Sequence, residues 1–240
     1  MPGNDSLSRS IRLFRAFLVE QSDPDHFYST LAADSVRQLA EFTTLTGRVL
    51  LDVGGGPGYF NDAFASAGAH YLGVDPDLGE LSARGTPSNS MIRASGCALP
   101  FQDDSVDICY SSNVLEHVGD PRAMIDEMIR VTRRGGTVFV SFTPWYSPWG
   151  GHETAPWHYL GGHYARRRYV RRTGRQPKNR FEESLFPLTV GAALRLARAA
   201  RAELVAAFPR YHPWWARWIS AVPVLREVAS WNLVMVLAKR

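Results

Sequence analysis

Asp52-Val53-Gly54-Gly55-Gly56-Pro57-Gly58 closes the apolar run Val49-Leu50-Leu51, and this junction decides the fold. A short continuous apolar run ended by clustered glycines reads as a buried parallel strand followed by a tight turn. Glycines there let the backbone adopt positive φ angles and approach a ligand closely. The next run, Tyr71-Leu72-Gly73-Val74-Asp75, ends on an acid 17 positions beyond Gly58. An acidic side chain at that point can accept hydrogen bonds from both hydroxyls of a ribose. Turn and acid together describe a nucleoside site. The glycines are spaced Gly54-x-Gly56-x-Gly58, unlike the Gly-x-Gly-x-x-Gly of dinucleotide folds, and Pro57 interrupts them. Asp52 would repel a phosphate in this turn, and suits a cationic aminoacyl group instead.

Outward from the turn, strands and helices alternate. Tyr59 to Ala67 reads as the helix after the first strand, Leu78 to Ala83 as the start of a second. Ser90 to Ala94 and Ser105 to Tyr110 read as further strands. A helix is expected from Asp120 or Pro121 through Val131, with Gly135-Gly136 breaking it before a strand Thr137 to Phe142. This alternation argues for a doubly wound α/β sheet. Upstream, Leu7, Ile11, Phe14 and Leu18 recur at helical spacing from Ser6 to about Glu20, an amphipathic helix. A second helix is expected near Phe27 to Phe42 with Leu31, Val36 and Leu39 inward. Downstream, residues 143–187 are too aromatic for a linker and too irregular for another βα unit, so they read as an insertion over the sheet's edge. Helical periodicity returns from Val190 to Ala200, and Glu203 to Phe208 and Asn232 to Ala238 are the final strands.

One domain is expected over 1–240: N-terminal helices (1–46), a cofactor-binding core (47–142), an acceptor-binding insertion (143–187) and the C-terminal part of the sheet (188–240). A hydrophobic content of 45% is enough to bury such a core. The apolar stretch Leu233 to Ala238 is far shorter than a bilayer span, and the start, with Asn4, Asp5 and several arginines, lacks a signal-peptide core. A cytoplasmic location with no transmembrane segment is expected. Two cysteines, Cys97 and Cys109, are too few for a disulfide framework and read as reduced and structural. The net charge of +4 is local: Arg166, Arg167, Arg168, Arg171, Arg172, Arg175, Lys178 and Arg180 stand together without an acid, and the rest of the chain is net acidic. That run reads as a solvated helix face, an anionic-substrate or lipid-surface contact, or an RNA footprint. With no RNA-binding module in view, no nucleic-acid partner is expected.

Five motifs then occur in order: Leu51-Asp52-Val53-Gly54-Gly55-Gly56-Pro57-Gly58; Gly73-Val74-Asp75; Ala98-Leu99-Pro100-Phe101 with Asp103-Asp104-Ser105-Val106-Asp107; Ser111-Ser112-Asn113-Val114-Leu115-Glu116-His117-Val118; and Arg130-Val131-Thr132-Arg133-Arg134-Gly135-Gly136. Over residues 48–142 the chain resembles the class I S-adenosylmethionine-dependent methyltransferases, and among them the type 11 group. The resemblance implies a Rossmann-like fold: a seven-stranded, mostly parallel sheet in the order 3-2-1-4-5-7-6, flanked by helices, with an insertion after strand 5. It implies S-adenosyl-L-methionine as cofactor and S-adenosyl-L-homocysteine as product. It places the methionine part on Gly54, Gly56 and Gly58, the ribose on Asp75, and the adenine on Ser95 and Gly96. Asp52, Gly55, Tyr59, Pro76 and Asn113 complete the candidate cofactor set. Where Ser95 stands the family commonly has an acid, which implies a weaker adenine contact or one made by backbone.

Methyl transfer to a hydroxyl needs alignment and removal of a proton, so a histidine or carboxylate base is sought. His117 and Glu116 follow the fourth strand, at the carboxyl edge where open α/β sheets bind ligands. Either could equally cap a helix or form the pocket wall. In the insertion, His152, Glu153, His158 and His163 stand among Trp149, Trp157 and Tyr159. The candidate base is the pair His152 and Glu153, or His117. Glu116, Trp145, Tyr146, Trp149, His158 and Tyr159 are candidate acceptor contacts. A metal on His152, Glu153 or His158, magnesium foremost, is the alternative, although their spacing does not put two imidazoles on one helix face.

Aromatic faces beside polar groups suit sugar rings. The stretch from Thr143 to Leu188, with Phe208-Pro209-Arg210-Tyr211-His212-Pro213 and Pro223-Val224-Leu225-Arg226-Glu227, is similar to small actinobacterial methyltransferases, some tied to methylated polysaccharides. It implies O-methylation of a saccharide of the methylmannose type, and a small-molecule or oligosaccharide acceptor as partner. Tyr211, Trp214, Trp215, Trp218 and Trp231 read as core packing, or as a seal on a homodimer or on the acceptor pocket. Competing readings are a non-catalytic cofactor-binding protein, a nucleotide-dependent oxidoreductase on the same fold, and a methyltransferase acting on a lipid, a secondary metabolite or RNA.

Overall fold

The computed structural model describes residues 5–19 and 22–240, so Asn4 and the expected helix end at Glu20 lie outside the described residues. Seven strands form one sheet: β1 (Val49–Val53), β2 (His70–Asp75), β3 (Met91–Arg93), β4 (Val106–Ser112), β5 (Thr132–Phe142), β6 (Glu203–Pro209) and β7 (Leu233–Ala238). Their order is β3-β2-β1-β4-β5-β7-β6. The first five run parallel, and β7 runs antiparallel to both of its neighbours. Parallel strands need covered faces, and two apolar layers cover them. Leu51, Val53, Val74, Val138 and Val140 face α5 (Pro121–Val131) and α7 (Val190–Ala199). Leu50, Tyr71, Tyr110, Phe139 and Val236 face α1 (Leu7–Leu18), α2 (Pro24–Leu39) and α3 (Asn61–Ser66). Short helices α4 (Leu78–Leu81) and α8 (Leu225–Ala229) flank the edges, and α6 (Gly162–Thr173) belongs to the insertion.

The helix starts follow local chemistry. Asp23 and Asp120 each accept a backbone N–H three residues on, from His26 and Ala123, with a proline at the first helical position. One expectation is corrected. The strand expected to begin at Thr137 begins at Thr132, which already pairs with Val106. Gly135 and Gly136 do not precede β5 but kink it: Gly135 sits at φ 72° and donates to the Lys239 carbonyl where the β4 register shifts. The amphipathic helix α1 forms, and its apolar stripe faces outward, with Leu7 56%, Ile11 43%, Phe14 36% and Leu18 62% exposed. Its inward face is Arg9, Leu13 and Ala16. The Arg9 guanidinium forks onto Asp34 of α2 at 2.7 and 2.6 Å and meets Asp5 at 3.1 Å, all three nearly solvent-free. Such a fork is planar and directional, so it fixes which face of α1 turns inward.

Residues 143–187 leave the carboxyl end of β5 and return to it. Trp145 N–H donates to the Leu188 carbonyl and Phe186 N–H to the Glu116 carbonyl, both at 2.8 Å. Between these ties lie two 3-10 turns, His152–Thr154 and Trp157–Leu160, then α6. The insertion therefore roofs the carboxyl ends of β4 and β5. Among the described residues, no helix is long and apolar enough to cross a membrane.

Candidate active site

The turn after β1 is shaped by three left-handed glycines, Gly54 at φ 81°, Gly56 at 52° and Gly58 at 85°. The N–H groups of Gly54 and Gly55 donate to the Val74 carbonyl at 2.8 and 3.1 Å, which locks the turn onto β2. A Cβ at Gly54 would run into the Val114 side chain, whereas one at Gly56 would meet open space. Asp75, which ends β2, stands beside this turn. One Asp75 oxygen accepts from Gly56 N–H at 3.1 Å and the other from Asp77 N–H at 2.9 Å. Burial raises the Asp75 pKa, and these two N–H groups hold it down. Asp52 lies deeper, 2% exposed, and accepts the Tyr71 hydroxyl at 2.7 Å. Burial raises its carboxyl to about 7, opposed by the Tyr71 bond and reinforced by the charge of Asp75.

The remaining cofactor candidates surround this cradle. Tyr59 stacks on Tyr28 of α2 at 4.4 Å, with the Arg84 guanidinium 4.9 Å from its ring. The Ser95 hydroxyl accepts from Cys97 N–H, and a Cβ on Gly96 would press on Val53 and Met124. The Pro76 carbonyl takes Arg93. Asn113 holds a left-handed φ of 58°, donates its N–H to the Ser141 carbonyl and accepts from Asn232 through its side chain. An open backbone cradle beside a buried carboxylate could hold an adenosyl nucleoside.

A second cluster stands two residues past Val114. Glu116 is 1% exposed. Its Oε1 accepts the Thr143 N–H at 2.9 Å, while Oε2 is buried without a partner among the described residues. Burial raises its pKa. His117 bonds the Ser184 carbonyl through Nδ1 at 2.7 Å; a carbonyl only accepts, so Nδ1 carries a proton and donates. The His152 ring comes in from the insertion, 5.1 Å from that of His117. Its Nε2 is likewise buried without a partner, and its backbone is left-handed at φ 47°. Burial, then the nearby His117, His158 and Lys178, lowers the His152 pKa to about 3, so the ring is neutral at pH 7.

The expected pairing of His152 with Glu153 gives way to this arrangement. Glu153 points outward and binds the Asn179 amide with both oxygens at 3.1 Å. His158 also stands apart, buried with Nε2 on the Ser147 carbonyl at 3.2 Å and its ring against Trp145 and Tyr159. Trp145 is buried against Phe181, and Trp149 packs on Phe17 and Trp231. Of the expected acceptor contacts, Tyr146 and Tyr159 remain exposed.

One residue of this region went unassigned in the sequence. Arg210, at the end of β6, is fully buried and donates to the hydroxyls of Ser112, Ser141, Ser35 and Tyr110. Only its place beside Tyr211 and His212 in a motif marked it out.

Residues 51–140 match the family model described as a methyltransferase domain. A curated relative from Mycobacteroides abscessus, described as an uncharacterized methyltransferase, is 53% identical over 98% of this chain and 95% of its own. One from Mycobacterium tuberculosis with the same description is 51% identical over 97% and 95%. The chain belongs to the class I S-adenosylmethionine-dependent methyltransferases. Solved structures agree in fold: an S-adenosylmethionine-dependent methyltransferase from Thermotoga maritima superposes with TM-score 0.55 at 17% identity, over 97% of this chain and 99% of that one. Another from Mesorhizobium loti gives 0.56 at 21%, over 85% and 96%.

The methyltransferase thus uses S-adenosylmethionine and yields S-adenosylhomocysteine. The magnesium expectation fares differently: His152, Glu153 and His158 do not converge. The set that does, Glu116, His117 and His152, offers two imidazoles, where magnesium takes oxygens. Part of the arginine run of the methyltransferase is engaged at the surface. Arg166 pairs with Glu183 at 2.5 Å, Lys178 with Glu80 at 2.9 Å, and Arg168 lies 3.8 Å over the Trp157 ring.

Proposed function

We propose that this methyltransferase moves the methyl group to a hydroxyl of a small acceptor, a saccharide foremost, seated between the glycine turn and the insertion. The observation that carries the reading is a pair of unpartnered, buried polar atoms: Glu116 Oε2, in the segment that touches the turn through Val114, and His152 Nε2, from the insertion. Unsatisfied buried polar atoms cost about 1–3 kcal/mol each and need a reason. An incoming hydroxyl group supplies one.

When bound, S-adenosylmethionine supplies an electrophilic methyl on a sulfonium, and no covalent attack by the protein is needed. The chain has three tasks. Gly54, Gly56, Gly58 and Asp75 hold the nucleoside, with Asp52 beneath the aminoacyl end. The insertion excludes water from the carboxyl ends of β4 and β5. Glu116, His117 and His152 act as a unit on the acceptor's proton, which alignment alone does not remove. The exposed rings of Tyr146, Trp157 and Tyr159 supply apolar faces beside polar rims, as sugar rings require.

A lipid-linked acceptor is the second reading. It is favoured by the outward stripe of α1 and by Trp214, Trp215 and Trp218, 49%, 57% and 56% exposed. Trp214 N–H donates to the Asp5 carbonyl at 2.8 Å, which sets these rings beside the start of α1. Transfer of isotope-labelled methyl to a panel of free saccharides, lipid-linked saccharides and amines decides between them. Label in an ether of a free sugar supports the first reading, label only in the lipid-linked acceptors supports the second, and label on nitrogen sinks both.

A further inference from the structure

We propose that Glu116, His117 and His152 form a binding site for one divalent transition-metal ion of the zinc type. One ligand atom from each of these residues lies within 4.8 Å of the others. Tetrahedral zinc with bonds of about 2.0–2.2 Å sets its ligand atoms roughly 3.4 Å apart, so the three side chains would draw together on binding the ion. Two histidines and one carboxylate with a fourth position left over is the donor set of catalytic zinc sites. Imidazole donors favour zinc, cobalt or iron over magnesium or calcium.

Four independent features point the same way. Glu116 is 1% exposed, and Oε2 has no hydrogen-bond partner among the described residues, while Oε1 is held by Thr143 N–H. His152 Nε2 is buried and also unpartnered. His117 donates Nδ1–H to the Ser184 carbonyl, the backing bond that turns a histidine's Nε2 toward a metal. The His152 backbone is held at φ 47°, a strained conformation for a non-glycine residue, of a kind that collects at ligand clamps. Simple core packing does not account for these together: Thr143 N–H holds one Glu116 oxygen, but the second is buried without a partner beside an equally unpartnered imidazole nitrogen.

The role of the ion rests on the acceptor reading; its binding does not. With the ion bound, the three side chains would act on the acceptor's proton through it: a hydroxyl in the fourth position would be made more acidic by the cation, and its proton would pass to solvent.

Zinc titration of the untagged full chain against a competing chelator tests this, with metal counted by mass spectrometry after dialysis and with cobalt as a spectroscopic probe. One zinc per chain is expected, at least tenfold tighter than magnesium, with visible cobalt bands of a low-coordinate site. Glu116→Gln and His152→Ala should each weaken zinc at least tenfold and remove the bands. S-adenosylhomocysteine affinity is measured alongside to show that both variants are folded. Absence of stoichiometric zinc, affinity unchanged in both variants, or magnesium bound as tightly as zinc overturns the site. Zinc bound as expected with no hydroxyl methylated sinks the acceptor reading and leaves the site standing. Full turnover by zinc-free enzyme sinks the ion's role.

Discussion

Arg210 Nη2 lies 2.6 Å from the Ser35 hydroxyl, joining the end of β6 to the middle of α2. The guanidinium touches four hydroxyls and no carboxylate, and its main-chain carbonyl accepts from Arg9 at 3.0 Å. Its replacement by methionine strands several buried hydroxyls at once. A loss of about 2–4 kcal/mol is expected, read as a lower urea midpoint with an unchanged slope.

Asp75→Ala removes the carboxylate assigned to the ribose. Cofactor and product should bind about 2–4 kcal/mol more weakly, while the circular dichroism spectrum stays that of the parent. Calorimetry with S-adenosylhomocysteine measures it, and unchanged affinity would refute the ribose assignment.

Gly54→Ala meets two penalties, a φ of 81° and the Val114 side chain. Displacing Val114 moves the segment that carries Glu116 and His117. Cofactor affinity and stability should fall together, stability by about 1–3 kcal/mol, and adding Val114→Ala should return part of the loss. A double-mutant cycle on thermal midpoints gives the answer, and additive effects would show that the two side chains do not meet.

Asp52 makes stability depend on pH. Its folded carboxyl titrates at about 7 against 3.8 in the unfolded chain. Between those values the folded state keeps a proton that the unfolded state has lost. This contribution is therefore fully present below about pH 4, falls as pH rises through 7, and amounts to at most about 4 kcal/mol. Denaturant unfolding from pH 4 to 8 should show that decline, and Asp52→Asn should flatten it. Equal slopes in the two proteins would refute the assignment.

His152→Ala should leave S-adenosylhomocysteine affinity nearly unchanged but slow methyl transfer at least tenfold. Single-turnover rates at saturating cofactor separate the two quantities. Equal rates would move the role to His117 alone.

The nucleotide half of the molecule was legible because its signals are local. The run Val49 to Gly58 carries its own strand, turn and φ requirements, and Asp75 sits at a fixed spacing from it. The strand order came with the motifs. The acceptor side was legible only in its parts. Glu116 and His152 are brought together by the folding of 143–187, and no periodicity encodes that return path. His152 and Glu153 are neighbours in sequence, yet the 3-10 turn His152–Thr154 sends one inward and the other to Asn179. In α1 the apolar spacing was real but did not say which face the core takes. The buried Arg9–Asp34 fork decided that, and long-range pairing of charges leaves no repeat to read.

The antiparallel strand β7 lies between β5 and β6, with hydrogen bonds to both, although it comes after them in the chain. During translation β5 waits with one edge unpaired, and β6 without any strand partner, until β7 has emerged from the ribosome. The nascent chain thus carries an open, sticky border from the completion of β5 onward, with synthesis running at roughly 5–20 residues per second. Loss of even the last strand would leave two separated edges rather than a shorter sheet.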